Sequence, residues 1–589
     1  MDDKRNLITA ILLSVLILVG WNFIAERFFP APPPPQAAAK DAAATAPAAT
    51  PAVPNGELGA PAAATAATPA AAAAAPPRNR TLAAALAEGA RIRIETPKLK
   101  GSLNPVGARI DDITLTNYRQ SLAKDAPPVR LFAPSGTPKA YFAGVGWTAA
   151  GIEVPGAQTE WAVTGSVLEP GSTVRLDWSN STGQAFRLDY SIDKDYLITV
   201  KQSVTNTAAT PVSVASYAFV NRRGKPTHPD DIDSWTIHNG PIGQIAGQTN
   251  YDVDYDTLDE APDNRVGFAS TGGWLGFTDK YWLAAVVPGQ KERINAEMRV
   301  GEGELYQANF SRPPVTVPAG RTITHSSQIF AGAKEVNVLD DYSERLGITR
   351  LDYSIDWGWF AVIAKPIFYL LDWLFKSVLN FGVAIMILTL IIRLLMFPIA
   401  QKQFHSMAQM RVVQPKMKAL QDKYKDDKPR MQQELMKLYK DEKINPLAGC
   451  LPILLQIPIF YALYKVLMLT IEMRHQPFAL WIKDLSAPDP AMVLNLFGLL
   501  DFQPPALLGV GVLAIILGVT MWLQFRLNPT PTDPVQQQVF AIMPWMMMFV
   551  MAPFAAGLLL YWVTNNILSI AQQQWMYRQF PALREAPAK

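Results

Sequence analysis

Residues 383–400 read VAIMILTLIIRLLMFPIA, and this stretch decides how the rest of the chain is interpreted. It is long and apolar enough to cross a membrane, yet it contains one charged residue, Arg393. A guanidinium stays protonated at physiological pH and is costly at the centre of a bilayer. Lys402 marks the polar end, about 13 Å from Arg393 along a helix, against a hydrocarbon half-thickness of about 15 Å. Arg393 is therefore predicted to lie near the midplane, to face protein or water, and to have a function.

The composition indicates a membrane protein with a substantial soluble part. The 589 residues are 49% apolar and 17% charged, against about 25% charged residues in soluble domains. The net charge of +3 does not favour nucleic-acid binding, and the one cysteine, Cys450, excludes an intrachain disulfide. The five histidines have no metal-ligand spacing, and no phosphate-binding GxxxxGK[ST] loop occurs. The sequence therefore predicts no cofactor, no metal and no enzymatic activity.

The amino-terminal part is predicted to be an anchor followed by a tether. Residues 1–6 are polar and are assigned to the cytoplasm. The apolar run at 7–25 is longer than the core of a cleaved signal peptide, which favours an uncleaved transmembrane helix over that alternative. Residues 26–81 consist mostly of Ala, Pro and Thr, and such a composition predicts a disordered, semi-stiff tether.

Residues 82–345 are predicted to form a periplasmic β-sandwich. Short segments rich in Val, Ile, Thr, Tyr and Phe alternate with turn residues, as in AFRLDYSID at 185–193. A sugar cleft with acidic chemistry is an alternative, because Asp230, Asp231 and Asp233 cluster in one loop. A solvated loop is the favoured interpretation of that cluster.

The segment 353–379 is predicted to be an amphipathic helix lying in the membrane interface. Lys365, Asp372 and Lys376 share one helical face, and aromatic residues crowd the others. The loop 399–443 has eleven Lys or Arg and six Asp or Glu, so the positive-inside rule assigns it to the cytoplasm. If the segment 353–379 also crossed the membrane, this basic loop would lie outside, so 353–379 is predicted not to cross.

The fold class is therefore a polytopic α-helical core of six transmembrane helices, with both termini inside, a periplasmic β-sandwich and a cytoplasmic helical hairpin. The stretch 491–500 is too short to cross and is taken as a surface or re-entrant piece. The remaining predicted segments are transmembrane helices at 380–400, 446–470, 506–525, 539–556 and 557–577, a cytoplasmic hairpin at 401–443, a periplasmic loop at 472–505, a cytoplasmic loop at 526–538 and a tail at 578–589.

The hairpin is rich in methionine. Two antiparallel helices are predicted, with Pro415 bending the first. The methionines either hold the two helices together or form an adaptable surface for apolar client segments, and both readings stay open. These residues are Met407, Met410, Met417, Met431 and Met436.

Arg393 has no acidic partner in the predicted spans, which contain no Asp or Glu. Thr389 lies one turn from Arg393, and Trp562 and Asn566 share a face in the same way. A wet cavity with a fixed positive charge would attract a mobile anion or the acidic part of a visiting chain. A secondary transporter of an anionic substrate is the alternative, although it would ordinarily need a coupled carboxylate. The uncharged polar residues of the spans are Thr389, Gln456, Gln524, Thr564, Asn565, Asn566 and Ser569.

Several long motifs resemble the YidC membrane protein insertase family in its Gram-negative form. They are MFPIAQKQFHSMAQMRVVQPKMKALQDKYKDD, NPLAGCLPILLQIPIFYALYKVL, ALWIKDLSAPDP, TDPVQQQ and GLLLYWVTNNILSIAQQQWMYR. The resemblance covers roughly the last 230 residues.

The resemblance implies an insertase and chaperone for nascent inner-membrane proteins, acting alone or with the Sec translocon and its accessory subunits. It implies a hydrophilic groove in which Arg393 attracts the acidic outer segment of a client, and a hairpin that captures clients. Phospholipid, the ribosome and the signal-recognition-particle pathway are further implied partners, although the short, weakly basic tail argues against direct ribosome binding through it. Groove-lining positions implied by the family are Thr389, Trp562, Gln524, Gln456 and Asn566.

Overall fold

The computed structural model describes residues 80–226, 237–424, 427–442, 451–497, 508–527 and 534–579, with positions 499, 500, 502, 504 and 505. The predicted anchor at 7–25 and nearly all of the tether lie outside these residues. So do the acidic cluster at Asp230, Asp231 and Asp233 and the side chains of Met407 and Met410.

The first half of the chain is built from twenty described strands, which confirms the predicted β-sandwich. Frequent Gly and Pro turns break the sequence into short β-branched and aromatic runs, which suit pleated, half-buried surfaces. The strands are β1 Ile92–Glu95, β2 Leu99–Asn104, β3 Arg109–Arg119, β4 Pro128–Phe132, β5 Tyr141–Ala149, β6 Ala162–Thr164, β7 Val167–Leu168, β8 Thr173–Ser179, β9 Gln184–Ile192, β10 Leu197–Asn206, β11 Val212–Arg223, β12 Gly240–Ile245, β13 Gln248–Asn250, β14 Arg265–Thr271, β15 Trp274–Thr278, β16 Trp282–Val287, β17 Arg293–Gly301, β18 Leu305–Ser311, β19 Val315–Val317 and β20 Arg321–Ala333.

Two sheets pack face to face around one core. One sheet has the order β14-β17-β18-β11-β5-β3-β2-β1-β7, with β19 on β11 and β4 on β3. The other has the order β13-β12-β15-β16-β20-β10-β9-β8-β6. The strand pairs are antiparallel, and the parallel β1–β7 pair is the exception among the described strands. Helix α1 Leu82–Leu86 precedes the first strand, and α2 Tyr255–Glu260 lies between β13 and β14.

In strand β10, the alternation of buried apolar and exposed polar residues is hard to see in the sequence. Ile198, Val200 and Val204 are buried and face the core, as a period of two requires. Gln202 occupies the same face and is also buried, because its Nε2 donates to the carbonyl of Gly146 in the opposite sheet at 3.0 Å. A satisfied polar residue thus interrupts the apolar pattern without interrupting the strand.

The second half of the chain is helical, as predicted. Its helices are α3 Val336–Arg345, α4 Ala361–Val378, α5 Phe381–Lys423, α6 Lys428–Asp441, α7 Leu451–Leu469, α8 Val512–Leu527, α9 Pro534–Met551 and α10 Ala556–Gln579. Phe381–Lys402 is long and apolar enough to cross a membrane. Three shorter apolar helical stretches are described at Gln456–Leu469, Val512–Leu527 and Gln537–Met551.

Several helix bounds differ from those expected. Helix α5 is continuous from the apolar stretch into the hairpin, through Pro398 and Pro415, so the predicted transmembrane helix at 380–400 and first hairpin helix are one element. Helix α8 begins at Val512 rather than at 506. Helix α9 ends at Met551 rather than at 556, because a turn follows at once.

Helix α4 lies against the β domain through its charged face. Lys365 is ion-paired with Asp352, and Asp372 accepts a hydrogen bond from Asn337 of α3 at 3.3 Å. Trp373 of this helix and Trp359, which precedes it, are largely exposed. Lys365 and Asp372 on the polar face of this helix therefore contact protein, whereas the Lys376 side chain is 63% exposed.

Candidate functional site

Arg393 lies on α5 beside α10, which packs against both α5 and α8. Its Nε donates to Asn565 Oδ1 at 2.8 Å, and its Nη2 donates to the Asn565 carbonyl at 3.4 Å. Nη2 also donates to Ser569 Oγ. Asn565 and Ser569 are four residues apart and share one face of α10, so a single helix face holds the guanidinium.

Every protein partner of Arg393 within the described residues is neutral. A guanidinium has five N–H donors on three nitrogens, and the bonds to α10 use Nε and Nη2. Within the same part of the chain no hydrogen bond joins Nη1. Arg393 is thus held in a fixed orientation by neutral groups, and among the described residues its charge has no acidic partner.

The other polar residues predicted from the sequence also meet at α10. Asn566, 2% exposed, donates from Nδ2 to Thr520 Oγ1 of α8 at 3.2 Å. Gln456 of α7 donates from Nε2 to the Tyr561 hydroxyl at 3.2 Å. The Trp562 ring packs against Phe460 of α7, with centroids 4.9 Å apart.

Within the described residues, three of the predicted polar residues form no hydrogen bond with Arg393. Thr389 is buried, at 1% exposure, and its hydroxyl donates to the Ile385 carbonyl of its own helix at 2.7 Å. Gln524 is half-buried on α8, one turn beyond Thr520. Thr564 is likewise buried and donates to the carbonyl of Leu560 at 2.7 Å.

Thr520 and Tyr561 are site residues that the sequence reasoning missed. Both provide the second partner of a polar contact that crosses between helices. Tyr561 had a usable signal, because it precedes Asn565 by four residues and therefore lies on the face that holds Arg393. Thr520 is an isolated threonine in an apolar helix and gave no such signal.

A buried cation of the helical half was also missed. Lys465, on α7, is 1% exposed, and its Nζ lies 2.7 Å from Asp356 Oδ2 in the segment before α4. Unlike Arg393, whose partners in the described part of the chain are all neutral, this cation has a carboxylate partner.

The methionines of the hairpin divide into two groups. Met417 is buried with Val413 between α5 and α6, against Leu435, Leu438 and Tyr439. Met436 of α6 is 58% exposed, and Met431 is half-buried. Met417 thus holds the hairpin together, whereas Met436 is available to another molecule.

The comparisons with known proteins cover both halves of the chain. Residues 91–370 match the YidC periplasmic domain, and residues 373–583 match the 60Kd inner membrane protein family. A membrane protein insertase YidC of Zymomonas mobilis is 45% identical over 100% of both chains. One from Rhizobium meliloti is 44% identical over 97% of this chain and 95% of its own. The crystal structure of an active YidC insertase covers 82% of this chain and 92% of its own, at 18% identity and a TM-score of 0.35.

The sequence motifs and both family matches agree, and the match to the relatives extends over the full length of the chain. This is a family of inner-membrane proteins with a periplasmic domain, and it is not a family of enzymes. The chain belongs to the YidC family of membrane protein insertases.

Proposed function

We propose that the chain inserts single-span membrane proteins by drawing their acidic outer segments toward Arg393. One observation supports this proposal. The neutral residues Asn565 and Ser569 hold the guanidinium of Arg393, and Nη1 has no hydrogen-bond partner among the described residues. A carboxylate about 4 Å from such a charge gains about 4 kcal/mol at an effective dielectric constant near 20. A resident carboxylate would cancel that attraction.

The polar contacts around α10 would form the walls of a hydrophilic groove. Thr520, Tyr561 and Asn566 offer polar groups at intervals along the helices, which lowers the cost of passing a polar segment part of the way across. Trp562 and Phe460 would give the apolar part of the client an aromatic surface. Because these groups bind weakly and bear no charge, the client is released once its apolar segment reaches lipid.

The exposed part of the hairpin is proposed to capture the client first. Met436 and the half-buried Met431 form a flexible apolar surface on α6, and such surfaces adapt to varied sequences. We propose in addition that the protein acts as a chaperone and cooperates with the Sec translocon, the ribosome and the signal-recognition-particle pathway. These partners follow from the family resemblance alone.

Six spans with both termini inside complete the proposed topology. The basic loop 399–443 supports it, since this loop is assigned to the cytoplasm by its charge. A secondary transporter of an anionic substrate is disfavoured, because the predicted spans contain no Asp or Glu for ion coupling.

The test is to deplete the protein from cells and follow the insertion of short single-span proteins. Insertion should fall while the wild-type gene on a plasmid restores it; unchanged insertion would overturn the proposal. A photoreactive amino acid at Trp562 or at Thr389 should crosslink to a stalled nascent chain. Absent crosslinking at both positions would contradict the proposed groove.

A further inference from the structure

Asp489 anchors the segment between α7 and α8. This carboxylate is 1% exposed. Its Oδ1 accepts from Trp481 Nε1 at 2.9 Å and from the Ala491 amide at 3.0 Å, and its Oδ2 accepts from the Leu513 amide at 2.8 Å. Leu513 lies in the first turn of α8, where amides have no helical partner. Asp489 therefore joins the segment firmly to the start of α8.

Backbone hydrogen bonds extend this connection. The Val512 amide donates to the Ala491 carbonyl, and the Val493 amide donates to the Val510 carbonyl, both at 3.1 Å. Residues 491–497, 499 and 500, here called the apolar finger, thus project directly from the end of α8. The segment leaves α7 through Arg474, whose Nη1 donates to the Arg119 carbonyl at 2.8 Å, so the finger lies on the β-domain side.

The finger exposes large apolar side chains. Leu499 is 84% exposed and Phe497 is 59% exposed. No charged residue occurs between Pro490 and Leu500. Asn495, the finger's one polar side chain, is buried at 8% exposure. The large apolar residues concerned are Val493, Leu494, Leu496, Phe497, Leu499 and Leu500.

Helix α8 is too short to cross a bilayer alone. Its 16 residues extend about 24 Å, against a hydrocarbon thickness of about 30 Å. The deficit of about 6 Å would otherwise be met by thinning the bilayer. The finger is attached at the end of α8 where apolar surface is needed.

We propose that the apolar finger is immersed in the acyl chains of the outer leaflet and completes the membrane crossing of α8. Its occupant is lipid, because its base continues a membrane helix and its exposed surface bears no charge to pair with a polar partner. Exposure of six large apolar side chains to water would be costly, whereas lipid solvates them freely. Most described backbone amides of the finger donate within its turns, to Asp489 or to Val510 just before α8, which lowers the cost of immersion.

The test uses a single environment-sensitive label. The natural cysteine is removed by Cys450→Ser, and Leu499→Cys is labelled with a nitrobenzoxadiazole fluorophore. The protein is reconstituted in phosphatidylcholine vesicles with or without lipids that have a doxyl quencher on the acyl chain. Lys483→Cys is the matched control, because Lys483 is exposed in the same loop. A label at Leu494→Cys repeats the measurement at a second finger position.

Immersion predicts blue-shifted emission at positions 499 and 494 and at least twofold quenching by the doxyl lipids, with little of either at position 483. Emission and quenching equal to those at position 483 would place the finger in water and overturn the proposal. Blue-shifted emission without quenching would also overturn it, because the finger would then be covered by protein.

Discussion

Lys465 Nζ lies 2.7 Å from Asp356 Oδ2, so this buried cation is neutralised by its own chain. Arg393, which is half-buried, is held among the described residues by the neutral groups of Asn565 and Ser569. The two cations therefore have different roles. Lys465 joins α7 to the segment before α4, and Arg393 is proposed to keep its charge for a client.

Asp356→Asn should destabilise the folded protein by about 3 kcal/mol, because it leaves the ammonium of Lys465 buried without its counter-charge. The double variant Asp356→Asn/Lys465→Met should recover most of this loss. Denaturant unfolding of the purified protein measures both. Losses that simply add in the double variant would show that the ion pair is not coupled.

Stability is expected to fall between pH 5 and pH 8 because of Glu472. Burial raises the pKa of Glu472 to about 7, and nearby Glu335 and Asp372 act in the same direction. The carboxyl is neutral in folded and unfolded protein below its ordinary pKa of 4.5, so the folded state loses stability as pH rises from there through about 7. The loss is about 3 kcal/mol on the scale of 1.36 kcal/mol per pKa unit.

Glu472→Gln is the control for this titration, because the amide can still accept from the Val336 amide, as the carboxylate does at 3.2 Å. The variant should lose about 3 kcal/mol less than the wild type between pH 5 and pH 8. Thermal or denaturant unfolding at the two pH values decides the matter. An identical loss in both proteins would exclude Glu472 as the titrating group.

The two groups of hairpin methionines should respond differently to truncation. Met417→Ala removes a buried side chain and should cost the hairpin about 2 kcal/mol, whereas exposed Met436→Ala should cost less than about 0.5 kcal/mol. Hydrogen exchange of α6 measures the first effect. Crosslinking of clients to the hairpin should fall with Met436→Ala while protection is retained; the opposite pattern would reverse the assignment.

The sequence predicted the sandwich, the helical second half and the polar residues that gather around α10, because each has a local signal. β-branched runs between turns predict strands, and Arg393 stands out in an apolar stretch. Contacts distant in sequence had no such signal. Asp356 and Lys465 are 109 positions apart, and nothing local pairs them. The sequence showed that α4 has a charged face, but the contacts of that face with the β domain depend on the tertiary fold.

The central claim is tested by inserting two forms of one single-span client, with an acidic or a neutralised outer segment, into vesicles containing the wild type or Arg393→Ala. The account predicts that Arg393→Ala lowers insertion of the acidic client at least about tenfold, equivalent to about 1.4 kcal/mol. The neutral client should change less than about twofold by the same reasoning, and Arg393→Lys should retain most activity toward the acidic client. Equal losses for both clients, or full insertion of the acidic client by Arg393→Ala, would contradict the account.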